Sequence, residues 1–426
     1  MNDEVSCEEF HRIGGVSRRS VLKGVLAAGA GITMSQAFGT AFRQTAFAAT
    51  PTNDVLVVLS LRGGVDGLGL VVPHGDPAYY TSRPTLALPA SSLICADPMF
   101  GLHPQMAPLS WLWQSGELAA IHAVGMEVPN RSHFAAMEVL EDADPGTIGR
   151  QGWVNRMVGL DASDSPLQAV QLGTSYRGTL ISGPSPSLAT PSVDDLQVSG
   201  LVGTSAWATR RRRQLELSWG PGAGLLGAAG MEAIRVSDLA GGIVAQPASP
   251  VPYPTDAYGK DLGEALADSV RLIKSDVGAQ VITIDHGTWD MHSAYGSLSD
   301  GRMVDMVGGL ARALNAFLRD LGDARSRVTV VTISEFGRRV AENGNGGLDH
   351  GWGNMMLLTG PGVRGGQYHG TWPGLGPENR VDGDLKVTTD YRNVFAEVIT
   401  RLFPDRSVAS VFPGLAYAAP GVMKPV

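Results

Sequence analysis

The body of the chain opens on a nearly unbroken aliphatic run, Val55-Leu56-Val57-Val58-Leu59-Ser60-Leu61. Such a run suits a strand covered on both faces, because neither row of side chains then meets water. Leu118-Ala119-Ala120-Ile121-His122-Ala123-Val124 has the same character and predicts a second strand. From Asp261 to Ser275 the period changes. Leu262, Leu266, Val270 and Ile273 recur at three- and four-residue intervals, the stripe of an amphipathic helix that leads into a strand over Gln280–Ile284. The alternation continues with a helix over Met303–Leu321 ending at Gly322, then a strand over Arg327–Ile333. A shorter apolar run follows at Met355–Leu358, and Asp390 starts a helix through Leu402. Strands alternating with helices of this length imply right-handed crossovers. The expected fold is α/β, a mostly parallel sheet with helices on both faces. Residues 160–250 are rich in Ser, Gly and Pro and show no clear period; Arg210–Arg213 within them reads as a solvated helix face.

The N-terminal stretch reads as an address. Ser17-Arg18-Arg19-Ser20-Val21-Leu22-Lys23 precedes an uncharged, Ala- and Gly-rich stretch from Gly24 to Phe42, and Ala46-Phe47-Ala48-Ala49 offers the small residues a signal peptidase accepts. Together they predict a twin-arginine (Tat) signal peptide over residues 1–48, ahead of a single domain over residues 49–426. The Tat translocase is then a partner during export, and the destination is the periplasm or the outside. The apolar run is short and glycine-rich, so no stable membrane span is expected after processing. The route carries folded proteins, which hints at a cofactor acquired before export.

Composition narrows the class. With 426 residues, 43% hydrophobic and 17% charged, the chain has enough apolar mass for a large core. Its formal charge is −8. Processing would remove five basic residues (Arg12, Arg18, Arg19, Lys23, Arg43) and four acidic ones (Asp3, Glu4, Glu8, Glu9), leaving 28 basic against 37 acidic groups. An acidic surface of this kind argues against nucleic acid as a partner. Cys7 would leave with the signal, so Cys95 has no internal partner and reads as a small buried apolar residue.

In an open parallel sheet, ligands bind beyond the C-terminal ends of the strands. The residues that follow each predicted strand are the ones with chemistry. Asp66 ends the glycine-rich turn Arg62-Gly63-Gly64-Val65-Asp66. Arg131, Ser132 and His133 precede an apolar helical stretch, where a hydroxyl at a helix N-terminus gains from the dipole. Asp290 and His292 follow the third strand, Glu335 follows the fourth, and Asp349-His350 closes a loop rich in Gly and Asn. Carboxylates and histidines gathered at one sheet edge are a plausible ligand set for a divalent metal, zinc ahead of Mn, Ca or Mg, as one or two ions. Each residue has a structural reading too: Ser132 as an N-cap, Asp66 as a turn former, Asp349 and His350 as loop braces, Glu335 as an ion-pair partner of Arg338 or Arg339. His74, His103, His122 and His369 read as loop or core histidines.

Several motifs in this order resemble the domain-of-unknown-function 1501 family of exported bacterial proteins. They are Leu61-Arg62-Gly63-Gly64-Val65-Asp66-Gly67-Leu68, Val72-Pro73-His74-Gly75-Asp76-Pro77, Arg131-Ser132-His133-Phe134, Trp289-Asp290-Met291-His292, Ser334-Glu335-Phe336-Gly337-Arg338 and Asp349-His350-Gly351. That family in turn resembles, distantly, the alkaline phosphatase and sulfatase superfamily. The resemblance implies an alkaline phosphatase-like fold, with Ser132 as nucleophile and Arg131 clamping an anionic ester substrate. Asp290, His292 and His350 would hold one metal, and Glu335 with Asp66 the other. Two departures stand out: Phe336 occupies a position where the superfamily has a ligand, and Asp290-x-His292 is tighter than the usual spacing. Either the second metal site is weak or absent, or another residue such as His133 or His286 completes it. No Cys/Ser-x-Pro-x-Arg sulfatase motif occurs. The resulting expectation is an exported metal-dependent hydrolase-like protein acting on phosphate or sulfate esters. The alternative is a non-catalytic binding or export-associated envelope protein that retains the fold.

Overall fold

A computed structural model of the chain describes residues 54–144, 149–161, 163, 165–198, 201, 205–220 and 224–425. The Tat signal expected over residues 1–48 lies outside them. The opening aliphatic run forms β1 (Val55–Leu61), buried at every position. It pairs in parallel with two later strands, β5 (Val281–His286) and β6 (Val328–Ile333). Between them in the chain come β2 (Leu118–Gly125), β3 (Ala169–Leu172) and β4 (Leu188–Thr190), and after them β7 (Asn354–Thr359) and β8 (Tyr368–His369). The nine-stranded sheet runs β8-β2-β7-β6-β1-β5-β3-β4, with Thr389–Asp390 also beside β2. All its pairings are parallel except those of β7, which runs against both β2 and β6.

The helices lie on both faces, and β1 shows why. Val55, Val57, Leu59 and Leu61 join one core with α5 (Lys260–Lys274) and α6 (Arg302–Asp320). Leu56 and Val58 join a second with α2 (Trp153–Val158) and α7 (Tyr391–Leu402). Successive side chains of a strand point to opposite faces, so one continuous apolar run supplies both cores. The helical stripe read from sequence is the buried one: Leu262, Leu266, Val270 and Ile273 all face the first core. Burying each such side chain contributes about 1.5–3 kcal/mol, which is what fixes α5 on the sheet.

The stretch without a clear period, 160–250, contributes β3, β4 and two helices, α3 (Ala206–Ser218) and α4 (Gly224–Val244). Its strands are only four and three residues long, too short to show a period. Cys95 departs from expectation. It is half-buried at a left-handed backbone position, φ 52°, because it sits in a surface turn that packs against the core edge. Among the described residues no helix is long and apolar enough to cross a membrane.

Candidate metal centre

Strands β1, β2, β5 and β6 end at the same sheet edge, and β7, running the other way, begins there. Four loops therefore meet at that edge, those after β1, β2 and β5 and the one that joins β6 to β7. Gly63 and Gly64 take φ values of +105° and +60°. A Cβ on Gly63 would lie 2.6 Å from the Asp290 nitrogen, and one on Gly64 would lie 2.5 Å from the Phe336 ring. Only glycine lets the first loop press this close against the others. Arg338, buried, ties them together. Its Nε donates to the Gly64 carbonyl at 2.6 Å, its Nη1 to the Leu348 carbonyl at 2.9 Å, and its Nη2 to Asp290 Oδ1 at 2.5 Å and to the Gly63 carbonyl.

Three imidazoles and one carboxylate converge in front of this brace. His133 begins α1 (His133–Asp142). Its Nε2 lies 3.1 Å from His350 Nε2, and His292 Nε2 lies 3.0 Å from the same atom. Asp290 Oδ1 is 3.1 Å from His292 Nε2 and 3.3 Å from His350 Nε2, while Oδ2 is 3.7 Å from His133 Nε2. The ligand atoms of His133, Asp290 and His350 all lie within 4.8 Å of one another. Behind each ring stands an acceptor. His133 Nδ1 meets Glu335 Oε1 at 2.7 Å, His292 Nδ1 meets Asp349 Oδ1 at 2.8 Å, and His350 Nδ1 meets the Arg131 carbonyl at 2.8 Å.

Carboxylates and carbonyls only accept, so each Nδ1 carries a hydrogen and each neutral ring aims its Nε2 lone pair at the shared centre. Lone pairs held 3.0–3.1 Å apart repel unless a cation lies between them. A tetrahedron with zinc-length bonds spaces its ligand atoms by about 3.3 Å, close to the separations here. In the absence of an ion, protons are held instead. Burial works to lower the His133 pKa, but the Asp290 and Glu335 carboxylates overcome it and push it up to about 9. The bond to Asp290 raises His292 too. Burial would raise Asp290, yet His133, His292, His350 and Arg338 hold it far below the usual carboxylate range. Glu335 and Asp349, bonded to His133 and His292, are likewise lowered against the burial that opposes it.

Residues 255–404 match the family described as "Protein of unknown function (DUF1501)". The match spans 150 of the chain's 426 residues, all in its C-terminal half. The matched segment carries Asp290, His292, Glu335, Asp349 and His350, whereas His133 comes from outside it. No curated protein matches the chain. Among solved structures, it is similar to the C-terminal periplasmic domain of EcEptC from Escherichia coli in complex with Zn, at 10% identity and a TM-score of 0.32, covering 72% of this chain and 73% of that one. It is also similar to the PsFucS1 sulfatase from Pseudoalteromonas sp., at 12% identity and a TM-score of 0.35, covering 93% of this chain and 76% of that one.

The sequence-derived set separates into roles. Asp290, His292 and His350 are brought together. His133, weighed only as a substitute ligand, joins them; its signal was a histidine directly after the strand-end serine. Glu335 and Asp349 stand behind histidines, as the acceptors that fix ring orientation. Glu335 is further occupied by the Gly63 N–H at 2.8 Å and the Ser334 hydroxyl at 3.1 Å. Asp66 is a structural residue here. Both its oxygens are taken by buried Arg83, at 2.6 and 2.9 Å, and the Tyr295 hydroxyl donates to it at 2.6 Å. Arg131 is held by Asp384, which accepts from both Nε, at 2.8 Å, and Nη2. Ser132 is the N-cap of α1, but its side chain makes no capping bond. His286 is buried behind Trp289, with Nε2 on the Tyr258 carbonyl. Phe336 packs between two of these histidines, its ring centre 4.8 Å from those of both His133 and His350.

Proposed function

We propose that the protein is an exported, metal-dependent hydrolase-like protein built around one divalent ion, zinc first among the candidates. The observation that carries this reading is that His133, Asp290 and His350 bring ligand atoms within 4.8 Å of one another, with His292 Nε2 3.0 Å from that of His350 and each ring backed by its own acceptor. Nitrogen-rich donor sets of this kind suit zinc or another first-row transition metal over calcium or magnesium. His133, His292, His350 and Asp290 would hold the ion. One ion fits better than two because Asp66 is committed to Arg83 and Phe336 places a ring where a further ligand would stand.

An ion bound there supplies Lewis acidity toward an ester oxygen. The chain's own contribution begins with Ser132, next in sequence to a ligand. Its hydroxyl is half-buried and free of capping duty. The positive end of α1 favours negative charge developing on that oxygen. Arg131, with Nε and Nη2 anchored on Asp384, keeps Nη1 for an anionic ester group. The export reading rests on Arg18-Arg19 and the uncharged stretch behind them, with the periplasm as destination. The test is hydrolysis of p-nitrophenyl phosphate and p-nitrophenyl sulfate by zinc-loaded chain and its Ser132→Ala variant. Turnover lost in the variant, with metal retained, supports a serine nucleophile; full turnover in the variant removes that assignment. A non-catalytic metal-binding protein is the second reading, favoured by Phe336 covering one side of the centre. It predicts metal retention with no turnover of either ester.

A further inference from the structure

The arginine run lies on α3, a peripheral helix with one buried residue, Ala208. A 13-residue helix is marginal without packing along its length. Its outward face is not simply polar. Trp207 is 58% exposed and Leu217 is 77% exposed. With Arg210, Arg211 and Gln214 they recur at three- and four-residue steps from 207, so they share one face, and Arg213 borders it. The Arg211 guanidinium lies 5.7 Å from the Trp207 ring centre. Arg212 points elsewhere, pairing with Asp238 on α4 at 2.9 Å through Nη1 and reaching Glu216 at 3.9 Å. The acidic neighbours are therefore gathered on the side that faces α4. Two more apolar side chains, Trp219 at the end of α3 and Met231 on α4, are also exposed.

We propose that the outer face of α3 docks on an anionic phospholipid surface. In a chain of net charge −8, three arginines beside exposed Trp and Leu form a local basic and apolar face. The contact would be chiefly electrostatic, guanidinium groups meeting lipid phosphates while the neighbouring indole and leucine enter the headgroup boundary. Nucleic acid would meet the same arginines but leave Leu217 uncovered, and the acidic remainder would repel it.

The test is hydrogen–deuterium exchange of the full chain, read in the peptide covering residues 206–219, with vesicles of mixed phosphatidylglycerol and phosphatidylcholine or of phosphatidylcholine alone. Because the readout is local, attachment through another segment does not by itself move it. The proposal expects severalfold slower exchange with the anionic vesicles only, relieved by high salt and abolished in Trp207→Ala/Arg210→Glu/Arg213→Glu. Leu217→Glu, a single exposed change, serves as the second variant should the triple one unfold α3. No slowing, equal slowing on phosphatidylcholine alone, or slowing unchanged in both variants overturns it. So does protection that grows with protein concentration without vesicles, which would assign the face to a second copy of the chain.

Discussion

At the residue scale, the acceptor behind each histidine matters as much as the histidine. Glu335 accepts from His133 Nδ1 and from the Gly63 N–H, so Glu335→Gln should loosen the ring without removing it. Losing such an outer partner typically weakens metal affinity about 10–100-fold. Competition against a chelator of known affinity measures this; unchanged affinity would show that Glu335 plays no orienting part. The raised His133 pKa carries a second prediction. Stability from a raised group is full below its unfolded value of 6.5 and is lost as pH rises through about 9. The metal-free protein should therefore lose stability between those limits, while binding an ion there displaces a proton and grows tighter with rising pH. Denaturant unfolding of the metal-free and zinc-loaded protein across that range tests both signs. Asp290, His292 and His350 were legible because each stands at a strand end. Asp66 was not legible as an ion-pair residue: its partner Arg83 lies 17 positions away, and nothing in the turn announces it. Nor can a sequence separate a carboxylate that binds metal from one that binds the ligand's far nitrogen.

At the element scale, the loops after β1, β5 and β6 hold one another so closely that small changes should reach the centre. Gly64→Ala would place a Cβ 2.5 Å from the Phe336 ring at a backbone φ of +60°. A strained position of this kind costs about 1–3 kcal/mol. The expected outcome is that loss in stability by denaturant unfolding, together with weaker metal binding as Phe336 shifts against His133 and His350. Full stability in the variant would mean that the loop contact yields easily. The long elements were legible because their burial pattern is simple: β1 appears at its expected bounds, and α5 and α6 within one residue of theirs. β3 and β4 were not, being short parallel strands with too few residues to display a period. The reversed β7 was legible as a strand but not in direction, since an apolar run carries no sign. Its direction places Asp349 and His350, which precede it, at the same edge as residues that follow the other strands.

At the scale of the whole molecule, the centre joins α1 to the matched segment across the sheet, so an ion held there would link the loops after β2 and β5 and the loop between β6 and β7. Any ligand that binds only the folded state stabilises it, by about 2.7 kcal/mol at a hundred times its Kd. Chelation should accordingly lower the melting temperature, and zinc should restore it. Equal melting with and without chelator would place the ion outside the folded framework. The sheet and its two cores follow from apolar patterning. The centre follows from which loops the strand order brings together, and that order cannot be read from local sequence.

The most direct measurement is the metal content of the chain purified without chelators, beside His133→Ala and His350→Ala variants checked for folding. One equivalent of a transition metal in the parent, and none in either folded variant, is the predicted result. Two equivalents, or one retained after His133 is removed, would contradict a single ion held by His133, Asp290, His292 and His350.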